Sequence, residues 1–277
     1  MHGYPYKIMG HDWWEKGPFS RAQVANYDRR AREWDYFVSP ARYATPLLER
    51  AFLTPADAHP KILEIGYPRN DELLSAHAQA TRQCVREEFG VRPDQTVVLY
   101  APTFRDYLAE NDRTAEAVDF FDAASAAREL GSSFVFLMRG HAFNARNETR
   151  ITGDRSVIDV TDYPEINHLC LASDVAVLDY SSLRFDYALT RKPMIFLTPD
   201  LIEYDRARGG VIPYSPTAPG PQAQTTDEVV HHLGDLEGLS QRYAAGIETF
   251  VHDYMELEDG HASQRLVDAV FVPRGDA

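Results

Sequence analysis

Arg139-Gly140-His141 close an apolar run, SFVFLMRG (133–140), and set a guanidinium and an imidazole on either side of a glycine. The glycine lets a ligand approach the backbone, and the flanking groups suit an anion. Other runs end comparably. TVVLYA passes into Pro102-Thr103-Phe104-Arg105, a rigid turn with a hydroxyl and a cation. DVAVLD passes into Tyr180-Ser181-Ser182 and then into a helix containing Phe185-Asp186. A serine pair at a helix start can cap the helix, and the same geometry offers backbone N–H groups and a positive dipole end to a phosphate. Asp186, one turn further on, would accept hydrogen bonds from polyol hydroxyls. KILEIG leads into GYPRND, which adds Arg69. Taken singly, each group also reads as structure: a surface Arg, a turn His, a helix cap. Their convergence on one cleft points to a ligand that is anionic and carries hydroxyls, as a nucleotide diphosphate does.

The elements that must position these groups are short apolar runs alternating with helical patterns. DYFVS (35–39), KILEIG (61–66), TVVLYAPT (96–103), SFVFLMRG (133–140), DVAVLDYS (174–181) and PMIFLTP (193–199) read as strands. They lack strict polar alternation, as strands covered on both faces do. Helices are expected from Ser20 to Trp34, Asp71 to Phe89, Ala115 to Leu130, Pro164 to Ala172 and Leu183 to Leu189, and throughout from about Thr226. Strands separated by helices imply βαβ units, hence an α/β fold with a doubly wound, mostly parallel sheet. In such sheets ligands bind at the carboxyl ends of the strands, where all these groups stand. Gly66 and Pro68 break the chain at GYPRND, where Asn70 or Asp71 would cap the next helix. On that reading residues 1–66 are the incomplete end of one domain and residues 67–277 are a complete one.

The composition, 44% hydrophobic and 25% charged, is that of a soluble globular protein. A net charge of −14 argues against a nucleic-acid partner and requires any anionic substrate to be held by local cations. Cys84 and Cys170 show no CxxC spacing and read as reduced thiols. No apolar run is long enough to span a membrane. No Walker pattern, GxGxxG or GxSxG occurs, and the histidines lack ligand spacing, so neither a metal nor a cofactor is expected.

HGYPYKIMG (2–10) resembles the Trp-His-Gly-Thr-Pro-x-Lys-x-x-Gly signature of the CDP-glycerol glycerophosphotransferases, which build teichoic-acid-type polymers. GYPRND, VLYAPTFR, LMRGH, DYSSLRFDYAL, PDLIEYDRARG and APGP follow in that family's order. The resemblance implies a glycosyltransferase-B-like fold of two Rossmann-type domains with the active cleft between them. It implies CDP-glycerol or CDP-ribitol on the C-terminal domain and a polyol-phosphate or lipid-linked acceptor opposite. His2 then matches the catalytic base. His141 is expected among both catalytic and donor-binding groups, with Lys7, Arg69, Pro102, Thr103, Arg139, Gly140, Ser181, Ser182 and Asp186 on the donor side. Two positions depart from the signature: Met1 stands where it has Trp, and Tyr4 where it has Thr. Family members work at the cytoplasmic face of the membrane. No basic amphipathic helix marks this segment for that role, so attachment is expected upstream.

The stretch HGYPYKIMG reads as an internal active-site loop, leaving His2 on a free terminus rather than held by a packed domain. Three readings follow: a polyol-phosphate transferase that needs an upstream domain, a CDP-polyol-binding module without turnover, and a nucleotide-sugar glycosyltransferase of the same fold.

Overall fold

The structure is a computed structural model that describes residues 3–15, 20–53, 60–103, 105, 109–111, 114–115, 120–140 and 156–272. After α1 (His11–Trp14) and α2 (Arg21–Ala31), strands β1 (Tyr36–Ser39) and β2 (Lys61–Glu64) flank α3 (Ala44–Phe52). The two strands pair in parallel as a small separate sheet. Then come α4 (Ala78–Glu88), β3 (Thr96–Tyr100), the hairpin strands β4 (Ala109–Asn111) and β5 (Thr114–Ala115), α5 (Ala123–Leu130) and β6 (Phe134–Met138). They are followed by β7 (Val157–Asp159), α6 (Ile166–Ala172), β8 (Val175–Leu178), α7 (Leu183–Ala188), β9 (Met194–Leu197), α8 (Leu201–Ala207) and β10 (Gln222–Ala223). Helices α9 (Thr226–Leu233), α10 (Leu236–Tyr254) and α11 (Ala262–Val270) complete the chain.

Six strands form the main sheet in the order β10-β9-β8-β3-β6-β7, every pair parallel. Alternate side chains enter two separate cores. Val97, Leu99, Leu137, Leu178 and Phe196 pack with α6, α7 and α10, while Val98, Phe136, Val177 and Ile195 pack with α5 and α9. Each such side chain contributes about 1.5–3 kcal/mol on burial, which accounts for runs with no polar face. This is the α/β, glycosyltransferase-B-like architecture anticipated above. Successive connections run outward to one side through β6 and β7 and to the other through β8, β9 and β10. The topological switch therefore lies between β3 and β8.

Some elements differ from the sequence expectations. The helix expected from Asp71 to Phe89 is a 3-10 segment at Pro68–Leu74, then a break at Ser75, then α4. Asp71 does not cap its own helix: its carboxylate accepts the N–H groups of Ala262 (2.9 Å) and Ser263 (2.7 Å) at the start of α11. The helix before β6 starts only at Ala123, because the Asp122 side chain caps it by accepting the Ser125 N–H. Among the described residues, no helix is long and apolar enough to cross a membrane.

Candidate active site

Because the sheet is parallel, its strand ends bring the candidate residues to one edge. Pro102 and Thr103 follow β3, Arg139 and Gly140 follow β6, and Ser181 and Ser182 follow β8, next to β3. A buried ionic staple fixes this edge. Asp179 accepts the Thr103 N–H with both oxygens (2.9 Å each) and Arg105 Nη1 at 2.7 Å. The Arg105 Nε reaches Asp200 at 2.7 Å, after β9. Burial works against the Arg105 charge, yet Asp179 and Asp200 hold its pKa above the usual value. Arg105 thus joins the ends of β3, β8 and β9, and Thr103 keeps a buried Oγ1 with no partner among the described residues.

Arg139 is half-buried, its Nη1 donating to the Tyr163 carbonyl at 2.7 Å. Burial lowers its pKa. Gly140 donates its N–H to Thr161 Oγ1 at 2.9 Å, and a Cβ there would lie 3.1 Å from the same oxygen. Ser181 Oγ accepts the Leu183 N–H at 3.2 Å, so this serine caps α7. Ser182 holds the N-cap position without a side-chain cap bond.

Arg69 donates Nη2 to both oxygens of Asp186, at 2.8 and 2.9 Å. The two side chains differ in exposure, 40% for Arg69 against 6% for Asp186. The guanidinium therefore keeps a solvent-facing edge while the carboxylate is enclosed, and a polyol hydroxyl would have to compete with Arg69 for it. Burial raises the Asp186 pKa, and Arg69 pulls it back only in part. Burial pushes the pKa of the Cys170 thiol up.

The N-terminal segment meets this cluster. A Cβ on Gly3 would intrude on Ser182 Oγ and lie 3.2 Å from Ser182 Cβ and 3.7 Å from Arg69 Nη2. Only glycine fits so close a backbone approach. Tyr4 is 1% exposed and stacks on Phe185 at 4.9 Å, and Tyr6 is 2% exposed beneath the Arg184 guanidinium at 4.1 Å. Lys7 pairs its backbone with Gly210, and its Nζ lies 5.6 Å from the Tyr204 ring centroid. From Gly3 onward the segment is held by the main sheet's core, into which Tyr4 and Tyr6 insert. His2 and His141 lie outside the described residues.

Sequence reasoning missed Asp179, Asp200 and Glu258, whose carboxylates organise the edge. Asp179 and Asp200 follow strand runs and could have been paired with Arg105 by that placement. No local signal marks Glu258.

The family described as CDP-Glycerol:Poly(glycerophosphate) glycerophosphotransferase matches residues 1–272. A teichoic acid glycerol-phosphate transferase of Staphylococcus aureus (strain NCTC 8325 / PS 47) is 33% identical over 98% of this chain and 69% of its own length. A teichoic acid poly(glycerol phosphate) polymerase of Bacillus subtilis (strain 168) is 30% identical over 98% of this chain. The chain spans only 36% of that polymerase. The structure of the wall teichoic acid polymerase TagF superposes with a TM-score of 0.83 at 31% identity, covering 97% of this chain and 66% of TagF.

Proposed function

The chain belongs to the CDP-glycerol:poly(glycerophosphate) glycerophosphotransferase family, and on that premise we propose that it transfers glycerol phosphate from CDP-glycerol to a hydroxyl of a teichoic-acid-like polymer or lipid-linked acceptor, releasing CMP. The observation that carries the reading is the approach of Gly3 to Ser182 and Arg69. It joins the segment that follows His2 in sequence to the donor-side motifs at the carboxyl edge.

The terminal hydroxyl of the acceptor attacks the β-phosphorus of CDP-glycerol. A new P–O bond forms, the bond to the bridging oxygen breaks, and CMP leaves with that electron pair. An alcohol is a weak nucleophile at neutral pH, so His2 takes its proton as general base. CMP is already a good leaving group, and charge neutralisation matters more than a general acid. Arg139, His141 and the exposed edge of Arg69 supply it, with Asp186 orienting Arg69. Pro102, Thr103, Gly140, Ser181 and Ser182 shape the donor site. These cations answer the net charge of −14 locally.

Residues 1–66, which contain the separate β1–β2 sheet, form the end of an acceptor-side domain, and residues 67–277 bind the donor. Turnover requires further acceptor-side chain upstream, and the enzyme works at the cytoplasmic face of the membrane as a peripheral protein.

The test is CMP release from CDP-glycerol and CDP-ribitol, with calorimetric binding of both and of a UDP-sugar, on the chain and on a version extended upstream. CMP release with CDP-glycerol, lost in His2→Ala while donor affinity stays, is the expected result. Donor binding without release in both versions overturns the transferase reading in favour of a binding module. Preference for CDP-ribitol reassigns the polyol, and tighter binding of the UDP-sugar favours a glycosyltransferase.

A further inference from the structure

Glu258 lies in the turn between α10 and α11, remote in sequence from every motif above, and the mechanism makes no use of it. Its Oε1 accepts from the Tyr4 hydroxyl, from the Tyr67 N–H at 3.1 Å and from Asn70 Nδ2 at 3.0 Å. Its Oε2 is buried without a partner among the described residues. A carboxylate so enclosed is costly to keep unless the donors around it are fixed in return. The turn can reach this place because residue 66 is glycine. At φ +81° a Cβ there would stand 2.8 Å from the Leu257 carbonyl and 3.2 Å from Glu258 Oε2.

The donors on Oε1 belong to the two segments that meet at the site. Tyr4 follows Gly3, which touches Ser182 and Arg69, and its ring lies flat on Phe185, the neighbour of Asp186. Tyr67 and Asn70 bracket the strand-to-helix connection that carries Arg69, and both are buried, at 3% and 0% exposure. A single oxygen thus sets the distance between the N-terminal segment and the Arg69–Asp186 pair. The hydroxyl it uses is the phenol of Tyr4, at the far end of a ring where the family signature has the shorter Thr.

We propose that Glu258 is a positioning residue for the transfer: through the Tyr4 hydroxyl it holds the Gly3–Tyr4 segment in register with Arg69 and Asp186. It touches no substrate. The inference rests on the function proposed above, in which the residue next to Gly3 is the base.

The test uses Glu258→Leu, Tyr4→Phe and the double variant, in the version extended upstream, in three measurements: CMP release, calorimetry with CDP-glycerol, and hydrogen exchange of residues 3–10. Each single change is expected to lower kcat on the order of 10²-fold, the scale of a misplaced reacting group. Donor Kd should stay within about twofold, and the double variant should be no slower than the worse single, since both break one link. Amides of residues 3–10 should exchange roughly tenfold faster in both single variants. Tyr4→Phe keeps the stacked ring and gives a result even where Glu258→Leu unfolds. Unchanged kcat, multiplying effects, or a loss confined to donor affinity would overturn the proposal. If the extended parent releases no CMP, the functional reading fails while hydrogen exchange still decides the link: unaltered exchange in both variants refutes it.

Discussion

Removal of Arg69 should make stability depend on pH in a way that reports the burial of Asp186. In Arg69→Leu the carboxylate, 6% exposed, loses its only salt-bridge partner among the described residues. Breaking a buried pair from one side costs about 3–5 kcal/mol. The Arg69 side is 40% exposed and solvent-screened, which lowers the expected loss to about 2–3 kcal/mol at pH 7. Burial already raises the Asp186 pKa against the pull of Arg69, so without Arg69 it rises further. A carboxyl group raised in the folded state holds its proton where the unfolded chain has lost it, and folding then weakens as pH increases. The deficit of Arg69→Leu relative to the parent should therefore be smallest near pH 5. It should grow toward pH 7, by at most about 1.4 kcal/mol per pH unit. Urea denaturation followed by circular dichroism at pH 5, 6 and 7 measures it, and Asp186→Asn in the same background should flatten the slope. An equal deficit at all three pH values, or none, would refute the reasoning.

Arg139→Ala and His141→Ala should each weaken CDP-glycerol binding by about 1.5–3 kcal/mol, the worth of a charge-assisted hydrogen bond; parental affinity in both variants contradicts the placement of the diphosphate. Gly3→Ala should slow CMP release sharply because its methyl group intrudes on the Ser182 side chain, and a parental rate would contradict that close approach.

The strands that carry the site were legible because β3, β6, β8 and β9 are buried on both faces and read as unbroken apolar runs. The edge strands β7 and β10 were not, since three and two residues leave no pattern to recognise. Helix α3 hides behind Pro46, which reads as a breaker yet sits in the first turn, where it is tolerated. Helix α8 is mostly exposed, with Tyr204 its buried residue, and it passed for part of a loop motif. The break at Ser75 was illegible for a different reason. Asn70 and Asp71 look like local helix caps, but their side chains are committed to Glu258 and to the start of α11, nearly two hundred residues away. The same limit applies at the site. Which residues stand at strand ends follows from the chain order, whereas the pairing of Arg69 with Asp186 spans a separation of 117 residues. Tyr4 and Tyr6 were read only as part of an active-site loop, because nothing local tells that their rings fill the core.

Titration calorimetry of the chain with CDP-glycerol tests the central claim most directly. The account predicts saturable one-to-one binding that CDP competes away, that Arg139→Ala weakens, and that exceeds the affinity for a UDP-sugar. Absence of binding, or a UDP-sugar bound more tightly than CDP-glycerol, would contradict it.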